Sequence, residues 1–140
     1  MADDGVPRPK AAATERSLAP GAKRPLVLVV DDDVDIADSI GDVLRGGGYD
    51  VEQVGDGHSA LAAVARARPA LVLLDWRLPN EPAGSSLVRK LRDAVGYVPV
   101  VVLSADPQSL QEARAAAVSD YLPKPFDVND LLALVDEHCD

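Results

Sequence analysis

Five short apolar blocks alternate along the chain with stretches in which apolar residues recur every three or four positions. Leu26 to Val30 is an unbroken aliphatic run, the pattern of a strand buried on both faces. Ile36, Ala37, Ile40 and Leu44 then fall on one helical face, which Gly46, Gly47 and Gly48 terminate. Val51 to Val54 reads as a shorter, more polar strand at a sheet edge. Ala60, Leu61, Val64 and Ala65 form the apolar face of a second helix, stopped by Pro69. Residues 70–74 are a second fully apolar strand, followed by helical spacing at Leu87, Val88, Leu91 and Val95. Pro99 introduces a third buried strand, Val100 to Leu103. Pro107 suits the first turn of a helix running to about Ala117. Tyr121 and Leu122 make a short strand, and Asp127 can cap a last helix with Val128, Leu131, Leu132 and Val135 turned inward.

Strands and helices in strict alternation predict an α/β fold, a parallel sheet covered on both faces through right-handed crossovers. In such folds the functional site lies beyond the carboxyl ends of the strands. The polar residues stand at those ends: Asp31 and Asp32 after the first strand, Asp75 after the third, Ser104 after the fourth and Lys124 after the fifth. Residues far apart in sequence should therefore meet in one patch.

An acid at the end of a buried strand is costly unless a cation or a donor offsets the lost hydration. Clustered carboxylates match the hard oxygen ligands that Mg²⁺ prefers. A carboxylate beside that ion can act as a nucleophile toward phosphorus and form an aspartyl-phosphate. The transferring group carries spread charge and calls for a second cation, which Lys124 supplies from between Pro123 and Pro125. Ser104 can donate a hydrogen bond to a phosphoryl oxygen. Asp33 reads equally as a ligand or as a helix cap.

Composition narrows the classes. At 140 residues the chain suits one domain, and no apolar stretch is long enough to span a bilayer. A single cysteine, Cys139, excludes an internal disulfide and suits a reducing cytoplasm, the expected location. Residues 1–24 carry five basic and three acidic side chains, so of the net charge of −9 the remainder holds −11. So acidic a body repels phosphate backbones, and no direct nucleic-acid binding is expected. The Pro- and Ala-rich residues 1–24 read as a disordered extension, and residues 25–140 as the folded domain.

The series Val30-Asp31-Asp32-Asp33, Leu74-Asp75, Leu103-Ser104-Ala105 and Tyr121-Leu122-Pro123-Lys124-Pro125-Phe126 resembles the receiver domain of bacterial two-component response regulators, of the stand-alone, chemotaxis-regulator-like kind. The resemblance covers roughly residues 25 to 139. It implies a flavodoxin-like (βα)5 fold with strand order 2-1-3-4-5. It implies that Asp75 accepts a phosphoryl group from a histidine kinase, a histidine phosphotransfer protein or a small phosphodonor. Asp32, Asp75 and the backbone carbonyl of Arg77 would ligate Mg²⁺, with Asp31 acting mainly through water. Ser104 and Lys124 would engage the phosphoryl group. Tyr121 would change rotamer and alter the surface of helix four, strand five and helix five, where an unidentified downstream protein would read the signal. The expected state is a monomer, with dimerisation of the phosphorylated form left open, and no turnover of an external substrate.

Two departures from the family pattern stand out. Pro79-Asn80-Glu81-Pro82-Ala83-Gly84 is one residue longer than usual and lacks the acid next to the glycine. Ala117-Val118 replaces the usual Gly-Ala, which should alter the turn leaving helix four.

Other residues carry competing readings. Trp76 reads as a partly exposed shield over the site, or as a packing residue. Arg77, two beyond Asp75, and Asp106, two beyond Ser104, could pair across the path by which the phosphate leaves. His58 and His138 read as surface residues. The string Asp31-Asp32-Asp33-Val34-Asp35 is no calcium loop, because Ile36 occupies the position that demands glycine. A haloacid-dehalogenase-like phosphatase would use the Asp31 and Asp33 spacing but leave Asp75 without a role. A scaffold that keeps only the fold would not need the acids.

Overall fold

The computed structural model describes residues 24–78 and 84–139. Ten elements alternate: β1 (Leu26–Val30), α1 (Val34–Gly46), β2 (Asp50–Val54), α2 (Gly57–Arg66), β3 (Leu71–Asp75), α3 (Gly84–Val95), β4 (Val100–Ser104), α4 (Pro107–Ala115), β5 (Asp120–Pro123) and α5 (Val128–His138). The strands form one parallel sheet in the order β2-β1-β3-β4-β5, the doubly wound arrangement expected. The polar strand β2 is at an edge.

Alternation along the strands divides the core in two. Leu28, Val30, Val72, Leu74, Val100 and Val102 pack with Ala60 and Val64 of α2, Leu87 and Leu91 of α3, and Ala113 of α4. Val27, Val29, Leu71, Leu73, Val101 and Leu103 pack with Ile40 and Leu44 of α1 and Leu131 and Val135 of α5. Successive side chains of a strand point to opposite faces, so unbroken aliphatic runs serve both layers.

Helix starts follow local chemistry. Asp33, Asp56, Asp106 and Asp127 each accept a backbone N–H from the first turn of α1, α2, α4 and α5. Asp33 is thereby a cap, accepting from Ile36 N at 3.2 Å. Helix α1 stops because Gly48 adopts φ 100°, a conformation that costs glycine little.

Several expectations shift in detail. Ala65 is exposed and Ala63 takes its place in the core, since α2 turns its Ala60–Ala63–Val64 face inward. Val128 is 44% exposed rather than buried. Helix α4 ends at Ala115, and Ala117 follows at φ 58°. The turn leaving α4 thus places an alanine where the backbone favours glycine, which costs about 1 kcal/mol. Arg24 belongs to the ordered part, for its guanidinium donates to the carbonyls of Arg45 at 2.7 Å and Tyr49 at 3.1 Å. The expected disorder of residues 1–23 and the reshaped loop at 79–83 lie outside the described residues. Among the described residues no helix is long and apolar enough to cross a membrane.

Candidate phosphoacceptor and metal site

The ladder carries the acids into place. Asp31 N–H donates to Val54 O at 3.0 Å, extending the β1–β2 pairing by one residue, and Asp75 closes β3 in register with Leu103. Asp31 is 2% and Asp75 8% exposed, while Asp32 is open to solvent. One carboxylate oxygen from each of the three lies within 4.8 Å of the others.

Lys124 comes from the far side of the cluster, after β5. Its Nζ is 3.3 Å from Asp31 Oδ2 and 3.7 Å from Asp75 Oδ2. The backbone N–H of Lys124 donates to Ser104 O at 2.9 Å, and the Lys124–Pro125 peptide is cis. The remaining oxygens of the buried acids meet backbone donors: Asp33 N–H on Asp31 Oδ1 at 2.9 Å and Arg77 N–H on Asp75 Oδ1 at 3.2 Å. Burial nevertheless pushes the Asp75 carboxyl up to about 6; Lys124 opposes the rise, Asp31 and Asp32 add to it, and the Arg77 N–H holds it back.

An all-oxygen, multiply anionic cluster with one exposed member fits a hard divalent cation. The donor set would hold such an ion well, because its charge relieves what burial and crowding impose on Asp75.

A second layer of contacts joins this cluster to β4 and α4. Ser104 Oγ accepts from Asp106 N–H at 3.1 Å. Tyr121 is turned inward, its hydroxyl donating to Ser104 O at 3.3 Å and Asp106 O at 3.2 Å. The Asp106 carboxylate accepts from Gln108 N–H at 3.0 Å and from the Arg77 guanidinium at 2.5 Å, and these bonds, Gln108 first, hold its carboxyl below the ordinary range. The pairing of Arg77 with Asp106 suggested by their spacing is therefore formed.

Comparison with known proteins agrees with this geometry. The sequence profile of the response regulator receiver domain matches residues 27–136. The chain belongs to the receiver domain family. It is 42% identical over 114 residues to the DNA-binding response regulator MtrA of Mycobacterium leprae, covering 80% of this chain and 50% of that protein. It is 40% identical over 112 residues to the response regulator MprA of the same organism, covering 78% of this chain and 48% of the relative. The receiver thus spans about half the length of the curated relatives it matches. Among solved structures, the chemotaxis protein CheY4 of Vibrio cholerae superposes with a TM-score of 0.76 at 29% identity, covering 83% of this chain and 99% of the other. The receiver domain of Francisella response regulator 1452 gives 0.74 at 32% identity, covering 83% and 97%.

The receiver brings Asp31, Asp32, Asp75 and Lys124 together and places Ser104, Arg77 and Tyr121 around them. Of the two readings of Trp76 the packing one holds and the partly exposed shield does not: the residue is 4% exposed and packs in the core beside α3. His138 is no free surface residue, since its Nε2 lies 3.3 Å from Asp120 Oδ2 with 21% of the side chain exposed. His58 is exposed. Two contributors escaped the sequence reading. Glu112 accepts from Trp76 Nε1 at 2.7 Å, and fully buried Tyr49 donates its hydroxyl to Asp136. A buried indole N–H needs an acceptor, so burial of Trp76 would have prompted the search for one.

Proposed function

We propose that this receiver is a signalling switch that takes a phosphoryl group on Asp75 from a histidine kinase or histidine phosphotransfer protein, and also from a small phosphodonor. The observation that carries this reading is the Lys124 ammonium set between the Asp31 and Asp75 carboxylates at 3.3 and 3.7 Å. That arrangement keeps Asp75 available as a nucleophile and leaves a cation beside the oxygen that would receive the charge.

In the transfer, an Asp75 carboxylate oxygen forms the bond to phosphorus as the phosphorus–nitrogen bond of the donor's phosphohistidine breaks. The electron pair returns to the imidazole. Lys124 moves its charge from Asp31 toward the new phosphoryl oxygens, and Ser104 turns its hydroxyl onto one of them. Asp32, Asp75 and the Arg77 carbonyl would hold Mg²⁺, with Asp31 placed to bind its water. Bound there, the ion would supply positive charge to the phosphoryl oxygens.

Recruiting Ser104 strains its bond to Asp106 N–H, and Tyr121 is tied to the same loop through Ser104 O and Asp106 O. Chemistry at Asp75 therefore propagates to the face made by α4, β5 and α5, where a downstream protein in the cytoplasm would read it. MtrA is named a DNA-binding regulator; the acidic receiver would act through protein contacts rather than on nucleic acid. No turnover of an external phosphate ester is expected. Asp33, the second acid a phosphatase would need, is spent on capping α1.

Incubation with acetyl phosphate and Mg²⁺, followed by intact mass, tests the reading. Wild type should gain one phosphate and Asp75→Asn none. Equal labelling of both would remove Asp75 as the acceptor.

A further inference from the structure

Trp76 follows the acceptor directly, and its backbone is still part of the sheet, with N–H donating to Leu103 O at 3.2 Å. Its ring is buried and closely packed on the side of α3. A Cβ placed on Gly84, at the start of α3, would lie 2.6 Å from Trp76 Cδ2 and Cε3, so ring and helix backbone are in close contact. From this fixed position the indole N–H reaches across to α4 and donates to Glu112 Oε1 at 2.7 Å. The Arg77 guanidinium lies 4.0 Å from the same oxygen while bonding Asp106 at the cap of α4. Two consecutive residues after Asp75 thus hold two carboxylates of one helix.

Helix α4 buries few of its side chains. Its fully buried residues are Ser109 and Ala113, which offer little apolar area, and among the described residues Ser109 Oγ meets no hydrogen-bond partner. A helix with so thin an apolar seat takes its position from polar ties.

We propose that Glu112 is a positioning residue that latches α4 to the loop after Asp75, and that the latch must open when a phosphoryl group occupies the site. The inference rests on Asp75 as the acceptor. The bond of Trp76 N–H to Leu103 O and the contact of its ring with Gly84 oppose its following a displaced α4, so a shift of the helix is resisted by the Trp76–Glu112 bond. By linkage, removing a contact made in the unliganded conformer favours the ligand that selects the other conformer. Glu112 therefore sets how readily the site responds without touching the reacting atoms.

The test titrates beryllofluoride, a phosphoryl mimic, with Mg²⁺ into the full chain while emission from its one tryptophan is recorded. Glu112→Ala should lower the midpoint by about fivefold, the factor expected for one hydrogen bond of ordinary net strength. It should also change the emission of the unliganded protein, since the indole loses its acceptor. Glu112→Gln keeps an acceptor for the indole and drops the charge near Arg77, so its midpoint should lie between the two. A residue with a merely structural role would lower the melting temperature and leave the midpoint alone. A midpoint for Glu112→Ala equal to or above that of wild type overturns the latch. No response from wild type at all would instead remove the reading of the site. Trp76→Phe, scored by the rate of acetyl phosphate labelling in intact mass, supplies an arm independent of fluorescence. It should label faster than wild type, and an equal or slower rate counts against the latch.

Discussion

Helices α1 and α4 both leave the site end of the sheet, each on an aspartate cap, yet they are attached in opposite ways. Helix α1 buries Ala37, Ile40, Gly41 and Leu44 against β1 and β2, joined by α5 on the same face. Helix α4 buries Ser109 and Ala113 and is held by Arg77 to Asp106, by Trp76 to Glu112, and by Arg92, whose guanidinium reaches Ala116 O and Ala117 O. Apolar burial is indifferent to small displacements of charge, whereas polar ties can be exchanged one for another. The α1 side of the receiver can therefore serve as a frame and the α4 side as the part that answers to new charge at Asp75.

The sharpest way to break this contrast is truncation. Leu44→Ala, from a fully buried site under α1, should cost about 3 kcal/mol. Leu110→Ala on half-buried α4 should cost no more than about 1 kcal/mol. Urea unfolding of both variants decides it, and equal losses would show that α4 is seated as firmly as α1.

The next effect separates the site from both helices. Burial pushes the Asp75 carboxyl up from an ordinary 3.8 to about 6. Its neutral form is tolerated, and the cost of ionising it appears as the pH rises through that value. Without divalent cation, wild type should lose stability relative to Asp75→Asn between about pH 4 and pH 7. Mg²⁺ at ten times its dissociation constant should return about 1.4 kcal/mol to wild type. Asp32→Ala should abolish the return, as thermal melts would record. A stability gap that does not vary with pH would contradict the burial of charge described for Asp75.

Replacing Arg77 by Ala tests the polar side again. The Arg77–Asp106 pair is about half exposed, so global stability should fall by less than about 1 kcal/mol. The half-life of the aspartyl-phosphate, followed by intact mass, should nonetheless change several-fold, because the pair spans the rim beside Asp75. An unchanged half-life would reduce the pair to a surface contact. The smallest effect concerns the end of α4. Ala117→Gly relieves φ 58° and should stabilise by about 0.5 kcal/mol after the added entropy of the unfolded chain. A loss on this substitution would mean that the alanine methyl makes a contact worth more than the strain.

Much of this architecture was legible in the sequence for a physical reason. Runs such as Leu26–Val30 and Val100–Leu103 admit few readings other than a doubly covered parallel strand, and parallel strands force crossovers. The convergence of Asp31, Asp75 and Lys124 followed from topology alone. Contacts that depend on side-chain direction were harder to read. Trp76 read equally as a shield over the site or as a packing residue, and only the bond of its N–H to Leu103 O just past β3, with the ring turned under α3, decides for packing. Glu112 sits among alanines and arginines on a weakly patterned helix, and only the depth of the indole reveals its role. Tyr49, next to three glycines, gave no periodic signal of its burial beside α5.

Lys124 has one consequence for the life of the molecule outside any signalling event. Its ammonium already stands between Asp31 and Asp75, so the receiver carries an internal counter-charge for its own acids. A drop in available divalent cation would then change how readily the site can be loaded more than whether the chain stays folded. The idle molecule would remain intact through such a shortage, and a bound ion would act as a permission for the reaction more than as a pillar of the fold.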